Sequence, residues 1–320
     1  MEKLKTELRS LVKENLTKFM DSEVELILRI GNYILESGGK NLRPVLVLAF
    51  AKMLNSTSLD NLIPLAVGLE YIHTASLLHD DVVDKANKRR GKPSANKVFG
   101  NDTVVLTGDY MYANALYLFS KYGNIEMIKV VSDAVKKMAE GQLLELKKIA
   151  DFDMKEEEYF KIIDGKTAVL FAACSFVGAN YANADETQLK QAYEYGINIG
   201  RAFQIIDDLL DYTSSEEELG KPVCNDLREG KVTYPLIAVR DLLKEEEKEF
   251  FKTLIKTIEP SKEDILKAKE IVLTYKGHEI SFEKAKKYVR KAIENLDYFP
   301  KNIYNEELRK LAEYIIERNV

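Results

Sequence analysis

Between Pro93 and Pro222 the chain runs without a single proline, and apolar residues recur along that tract at helical spacing. Proline removes a backbone donor and clashes inside a helix, so a proline-free tract of this length allows long uninterrupted helices. The remaining punctuation agrees. Pro44 and Pro64 stand where helices should begin, and Pro93 and Pro222 fall in polar loops. Toward the C-terminus, Leu308, Leu311, Ala312, Ile315 and Ile316 form one apolar stripe of an amphipathic helix. No alternating, β-branched run bounded by turns argues for a sheet, and no repeat of fixed period occurs. The pattern predicts an all-α chain with helices over about 21–37, 42–54, 61–83, 103–121, 125–148, 155–180, 186–212 and 231–243, and more beyond.

Composition narrows the class. With 46% hydrophobic and 31% charged residues and only 16 Gly and 7 Pro in 320, the chain is neither disordered nor low-complexity. Nothing resembles a linker, so residues 1–320 read as a single domain with one substantial core. A net charge of −5 without a long basic run excludes a nucleic-acid backbone as partner. The two cysteines, Cys174 and Cys224, fit neither a metal-ligand spacing nor a disulfide framework, which implies a reducing, cytoplasmic location. The N-terminal residues are charged at short intervals, and no run of about 18 residues stays apolar. The expectation is a protein that is neither secreted nor membrane-spanning.

The sharpest chemical feature is Asp80-Asp81-Val82-Val83-Asp84, with a second copy at Asp207-Asp208-Leu209-Leu210-Asp211, each ending an apolar helical segment. At 3.6 residues per turn, Asp80 and Asp84 share a face, as do Asp207 and Asp211. Like charges at i,i+4 repel, and carboxylates at a helix C-terminus oppose its dipole. Two copies of one unfavourable arrangement imply compensation by a hard divalent cation. Oxygen ligands alone suit Mg²⁺, which keeps waters and binds through one or two carboxylates plus substrate phosphates. Cations accompany the carboxylates: Arg89-Arg90-Gly91-Lys92 follows the first motif, and Lys40 and Arg43 sit on the glycine turn Gly38-Gly39 that leads into a helix. Gly165-Lys166-Thr167 is no P-loop, because Phe160 stands where that motif requires glycine; Lys166 remains a candidate diphosphate contact on a helix. His73 and His79 are six apart, so no zinc pair exists, and His73 lies two turns before Asp80.

With these residues in view, the chain resembles the trans-prenyltransferases, the polyprenyl diphosphate synthases, over nearly its whole length. The resemblance rests on Gly-Gly-Lys-x-x-Arg-Pro at 38–44, Asp-Asp-x-x-Asp-x4-Arg-Arg-Gly at 80–91, Gly-Asp at 108–109, Gly-Gln at 141–142, Gly-Lys-Thr at 165–167, Phe-Gln-x-x-Asp-Asp-x-x-Asp at 203–211 and Asp-Leu-x-Glu-Gly-Lys-x-Thr at 226–233. It implies an antiparallel helical bundle around a deep central cavity, the isoprenoid synthase fold, with the aspartate motifs facing each other at the mouth, and a homodimer. It implies joining of isopentenyl diphosphate to an allylic diphosphate, with Mg²⁺, three ions per site, on Asp80, Asp84, Asp207 and Asp211. Asp81, Asp208 and Lys166 complete the catalytic set. Arg89, Lys166, Thr167, Gln204, Lys221 and Lys231 would take the allylic diphosphate, and Lys40, Arg43, His73 and Arg90 would hold isopentenyl diphosphate. The released diphosphate takes the final proton. No membrane span is expected beyond peripheral contact for product release.

Product length is partly readable. Ala75 and Ser76, five and four residues before Asp80, lie about one turn deeper on the same side and are small, as in the open tunnel of long-chain family members. The expectation is heptaprenyl to nonaprenyl diphosphate for a quinone side chain, with Phe119 or Met127 as candidate tunnel floor. Cys224 departs from the glycine common in the family, which puts the conformation of the loop behind Lys221 in question. A class I terpene cyclase would lack the second aspartate motif. A short-chain farnesyl or geranylgeranyl synthase and a non-catalytic partner subunit remain the alternatives.

Overall fold

The computed structural model describes residues 4–214 and 223–317. Lys221 lies outside the described residues. Helices dominate: α1 (Arg9–Asn15), α2 (Glu25–Glu36), α3 (Leu42–Met53), α4 (Leu62–Val83), α5 (Ala95–Phe99), α6 (Asn101–Tyr122), α7 (Ile125–Lys147), α8 (Glu156–Ile163), α9 (Val169–Tyr181) and α10 (Glu186–Thr213). They continue with α11 (Asn225–Arg228), α12 (Tyr234–Ile237), α13 (Glu245–Leu254), α14 (Lys262–Thr274), α15 (Gly277–Asn295) and α16 (Ile303–Ile316). Among the described residues the only β structure is a hairpin in which β1 (Lys88–Arg89) pairs antiparallel with β2 (Lys92–Pro93).

The described residues gather into two compact units. One holds the chain up to Val135 with Leu170–Tyr193 and Leu296–Leu308; the other holds Lys136–Val169, Glu194–Asn295 and the chain from Arg309. In the first unit α4 and α6 pack along their length, with Leu65, Leu69, Ile72, Val104, Met111 and Phe119 fully buried. Pro44 and Pro64 occupy the first turns of α3 and α4, where a backbone N–H has no partner within the helix. In the second unit, α8 opens with Glu156, Glu157 and Glu158 in its first turn, and the Glu158 carboxylate accepts from the Lys155 N–H at 3.0 Å. Both features offset the exposed N–H groups and positive end of that helix.

Three differences from the expected helices matter for the site. The stretch expected to be one helix over 155–180 is interrupted by a π-helical turn, Asp164–Ala168, in which the Val169 N–H reaches back five residues to the Asp164 carbonyl. Expected helix 231–243 is instead the single turn α12 and a 3₁₀ turn, Arg240–Leu242, because Thr233 is extended and Lys244 starts the next helix. The Arg-Arg-Gly loop is the hairpin, with Arg90 (φ 51) and Gly91 (φ 78) both left-handed at its tip. Positive φ at both central residues is the signature of a tight turn matched to strand twist. Residues Glu156–Tyr181 are long and apolar enough to cross a bilayer, yet 83% of that window is buried inside the protein.

Candidate active site

In the first unit the C-terminal end of α4 carries Asp80, Asp81 and Asp84 into three different environments. Asp80 is half-buried and Asp84 exposed at the helix cap, whereas Asp81 is 1% exposed. Its Oδ1 accepts from Arg89 Nε at 2.8 Å and forms an ion pair with Nη2 at 2.7 Å. The hairpin makes this possible: successive strand residues point to opposite sides, so Arg89 turns back onto Asp81. Asp80 also acts on Tyr112, whose hydroxyl burial pushes up to about 12, with Asp80 and Asp109 adding to the effect.

Arg90 comes to the glycine turn before α3. A Cβ on Gly39 would stand 3.0 Å from Arg90 Nη1, so the bare glycine backbone is what admits the guanidinium beside Lys40. Arg43, in the first turn of α3, lies over the Phe171 ring at 4.4 Å. Between these cations sequence reasoning overlooked Glu70, which is buried and accepts from Asn41 Nδ2 at 3.2 Å. Burial raises its carboxyl above the usual range, against the lowering influence of Arg43, Asn41 and Arg90. A signal existed, since Glu70 is the only charged side chain in α4 before His79-Asp80. Burial, then Arg43, Arg90 and Arg89, hold His73 well below the usual imidazole range, so it offers a neutral ring rather than a cation.

In the second unit the carboxylates of α10 differ in the same way. Asp207 is half-buried, while Asp208 is 3% and Asp211 1% exposed. Asp207 and Asp211 share a face of α10, as expected, but Asp211 is buried there, its Oδ2 accepting from the Asp226 N–H at 3.1 Å at the start of α11. Asp208 accepts from Tyr159 OH at 2.6 Å and Gln204 Nε2 at 2.8 Å, and Gln204 Oε1 accepts from Thr167 Oγ1 at 2.8 Å. Burial pushes the Asp208 carboxyl up to about 7, against those hydrogen bonds and with Asp207 and Asp211 adding.

The π-helical turn is what brings Lys166 and Thr167 to this network. Gly141 on α7 and Gly165 approach so closely that a Cβ at 141 would meet Lys166 N at 2.8 Å. Asp164 is clamped by Arg201 through two 2.6 Å bonds. Lys166 Nζ bonds Glu145 Oε2, and Lys231 Nζ lies 2.7 Å from Glu229 Oε2. Glu145, Lys166 and Lys231 line a cavity of about 170 Å³ with Tyr159, Asp208 and Asp226. Behind it Cys224 adopts a left-handed φ of 50, buried, with its N–H on the Asp211 carbonyl at 2.8 Å. The loop thus keeps a glycine-like backbone with a side chain in place, at a cost of about 1–2 kcal/mol.

Among the described residues no three His, Cys, Asp or Glu side chains form a metal cage by themselves. Each unit nonetheless offers donors that fit Mg²⁺, the more accessible Asp80 and Asp84 on α4 and Asp207 on α10, because all are hard oxygen donors and Mg²⁺ recruits substrate phosphates for the rest of its shell.

Residues 24–272 match the family model described as polyprenyl synthetase. The chain belongs to that family. A curated relative is the octaprenyl diphosphate synthase of Haemophilus influenzae, 35% identical over 96% of this chain and 93% of its own. The geranylgeranyl diphosphate synthase of Sulfolobus acidocaldarius is 32% identical over 98% and 97%. Among solved structures, a polyprenyl synthase from Caulobacter crescentus complexed with calcium and isoprenyl diphosphate superposes with a TM-score of 0.94 at 34% identity, over 100% of this chain and 98% of that one. As a polyprenyl synthetase, the protein is a prenyltransferase with the all-α isoprenoid synthase fold that the motifs implied.

The Asp81–Arg89 pair gives a direct structural test. Removing Arg89 leaves a buried carboxylate unpaired, so Arg89→Met should lower the unfolding free energy in urea by about 2 kcal/mol. Asp81→Asn in the same chain should restore most of it, and strictly additive losses would contradict the pairing.

Proposed function

We propose that the protein is a long-chain trans-polyprenyl diphosphate synthase, elongating an allylic diphosphate with isopentenyl diphosphate to seven to nine isoprene units for a quinone side chain. The observation that carries this reading is that cations accompany both aspartate motifs, Arg89 on Asp81, and Lys166 and Lys231 in the cavity that Asp208 lines. Lys40, Arg43 and Arg90, with neutral His73, would hold isopentenyl diphosphate. Lys166 and Lys231 would hold the allylic diphosphate, joined by Arg89 through the Nη1 that Asp81 leaves over and by Lys221. Gln204 is fixed at both ends of its amide, so together with Thr167 it would orient that diphosphate rather than follow it.

Asp80, Asp84 and Asp207 would bind Mg²⁺, three ions per site, and Asp81, Asp208 and Asp211 would hold the surrounding helix ends in place. Bound Mg²⁺ would neutralise the charge that develops on the leaving diphosphate. The fixed cations of the chain supply positive potential at the same oxygens without reorganising. Ionisation leaves an allylic cation, the isopentenyl double bond attacks it, and the departing diphosphate accepts the proton that restores the alkene. The relative solved with calcium and isoprenyl diphosphate supports a divalent-cation site.

Ala75 is fully buried and Ser76 half-buried, its hydroxyl donating to the His73 carbonyl at 2.7 Å, so neither carries bulk away from α4. This supports a long product, as does the octaprenyl synthase relative; the geranylgeranyl synthase relative favours the short-chain alternative. We propose further that residues 1–320 are a single synthase domain, which the interleaving of the two units along the chain supports. A homodimer through α6 would cover Leu106 (65% exposed) and Tyr117 (60%), three turns apart on that helix. The free, buried thiols of Cys174 and Cys224 suit a reducing cytoplasm.

Incubation with Mg²⁺, isopentenyl diphosphate and farnesyl diphosphate, followed by mass spectrometry, should give a ladder ending at seven to nine units. A ladder ending at four would replace the long-chain reading by the geranylgeranyl one, and no elongation would favour a partner subunit. Ser76→Phe should shorten the longest product by at least one unit, and an unchanged ladder would remove Ser76 from the control of length.

A further inference from the structure

The Lys166 cavity is also lined by a carboxylate on α7 that the proposed reaction does not use. Glu145, on α7 one turn beyond Gly141, lines the cavity with its side chain 19% exposed. Its Oε2 bonds Lys166 Nζ and lies 4.0 Å from Lys231 Nζ. A single carboxylate oxygen thus stands against both cations where an oxygen of a bound diphosphate would make the same contacts. The close packing of Gly141 on the π-helical turn holds the α7 backbone beside Lys166, so the pair is exchanged by rotation of the side chains and not by movement of the helix.

We propose that Glu145 is a placeholder for diphosphate: it holds Lys166 while the cavity is empty, yields to the incoming anion, and takes the lysine back as inorganic diphosphate leaves. This rests on the reading of the cavity as the allylic diphosphate site. Two effects act in one direction. The Glu145–Lys166 bond must be exchanged, and the Glu145 charge repels a diphosphate at short range. Glu145 therefore weakens binding of allylic substrate and inorganic diphosphate alike, while keeping Lys166 oriented between turnovers and the product from lingering. It is a positioning residue, acting through Lys166.

Glu145→Gln keeps the shape and removes the charge. In calorimetric titration of the full chain with inorganic diphosphate in Mg²⁺ buffer, the variant should bind about tenfold more tightly than the parent. The KM for farnesyl diphosphate should fall while kcat does not rise, a split that a merely structural role would not produce. Glu145→Ser, tested if the glutamine variant loses its helical circular dichroism, should move affinity in the same direction. Equal or weaker binding by the folded variant, with the parent binding normally, overturns the placeholder and leaves the cavity reading intact. Absence of binding by the parent overturns that reading and the placeholder with it.

Discussion

Carboxylates crowded at the C-terminal end of a helix repel one another and oppose the helix dipole, and the ends of α4 and α10 are each arranged around that repulsion. The protein meets it by sorting. At the end of α4 the middle aspartate, Asp81, is drawn inside and neutralised by Arg89. At the end of α10, Asp208 is held by Tyr159 and Gln204, and Asp211 by the backbone N–H that starts α11. What stays open to solvent and substrate is Asp80, Asp84 and Asp207. Each buried carboxylate also fixes a neighbouring element, so the exposed ones stand on rigid ground. Preorganisation of this kind lets the remaining charge act on a bound phosphate without first rearranging the protein.

The cations are managed by the complementary device. Glu70 lies among Arg43, Arg90 and His73, and Glu145 against Lys166 and Lys231. A cluster of like charges waiting for an anion would otherwise repel itself, and an internal carboxylate relieves this at the expense of affinity. The two ends differ in one respect that bears on function. Glu70 is buried and hydrogen-bonded to Asn41, whereas Glu145 lines a cavity from which it can swing.

Much of this was legible in the sequence because it is written within single helices or short motifs. The long helices follow from periodicity and from where proline is missing, the aspartate motifs, Lys166 and the Arg89-Arg90 pair stand out by composition and spacing, and Gln204 follows from the family resemblance. What stayed hidden depends on contacts between elements. Helix periodicity put Asp207 and Asp211 on one face, but it did not show that Asp211 would be buried against the Asp226 N–H at the start of α11. The π-helical turn at Asp164–Ala168 coincides with the packing of Gly165 on Gly141 and with the Arg201 clamp on Asp164, neither visible within that segment. The Arg90-Gly91 hairpin could have been suspected from its glycine, yet nothing local said that Arg89 would turn inward. Cys224 carries the backbone expected of the family's glycine, a conformation that residue type alone argues against.

The central claim is that the aspartates left accessible at the ends of α4 and α10, and not the folded scaffold around them, carry the reaction. Asp80→Ala and Asp207→Ala, assayed for isopentenyl transfer with far-UV circular dichroism as the control, test it most directly. The account predicts a fall in turnover of about a hundredfold or more in each variant with the helical signal unchanged. Full activity in either folded variant would contradict it.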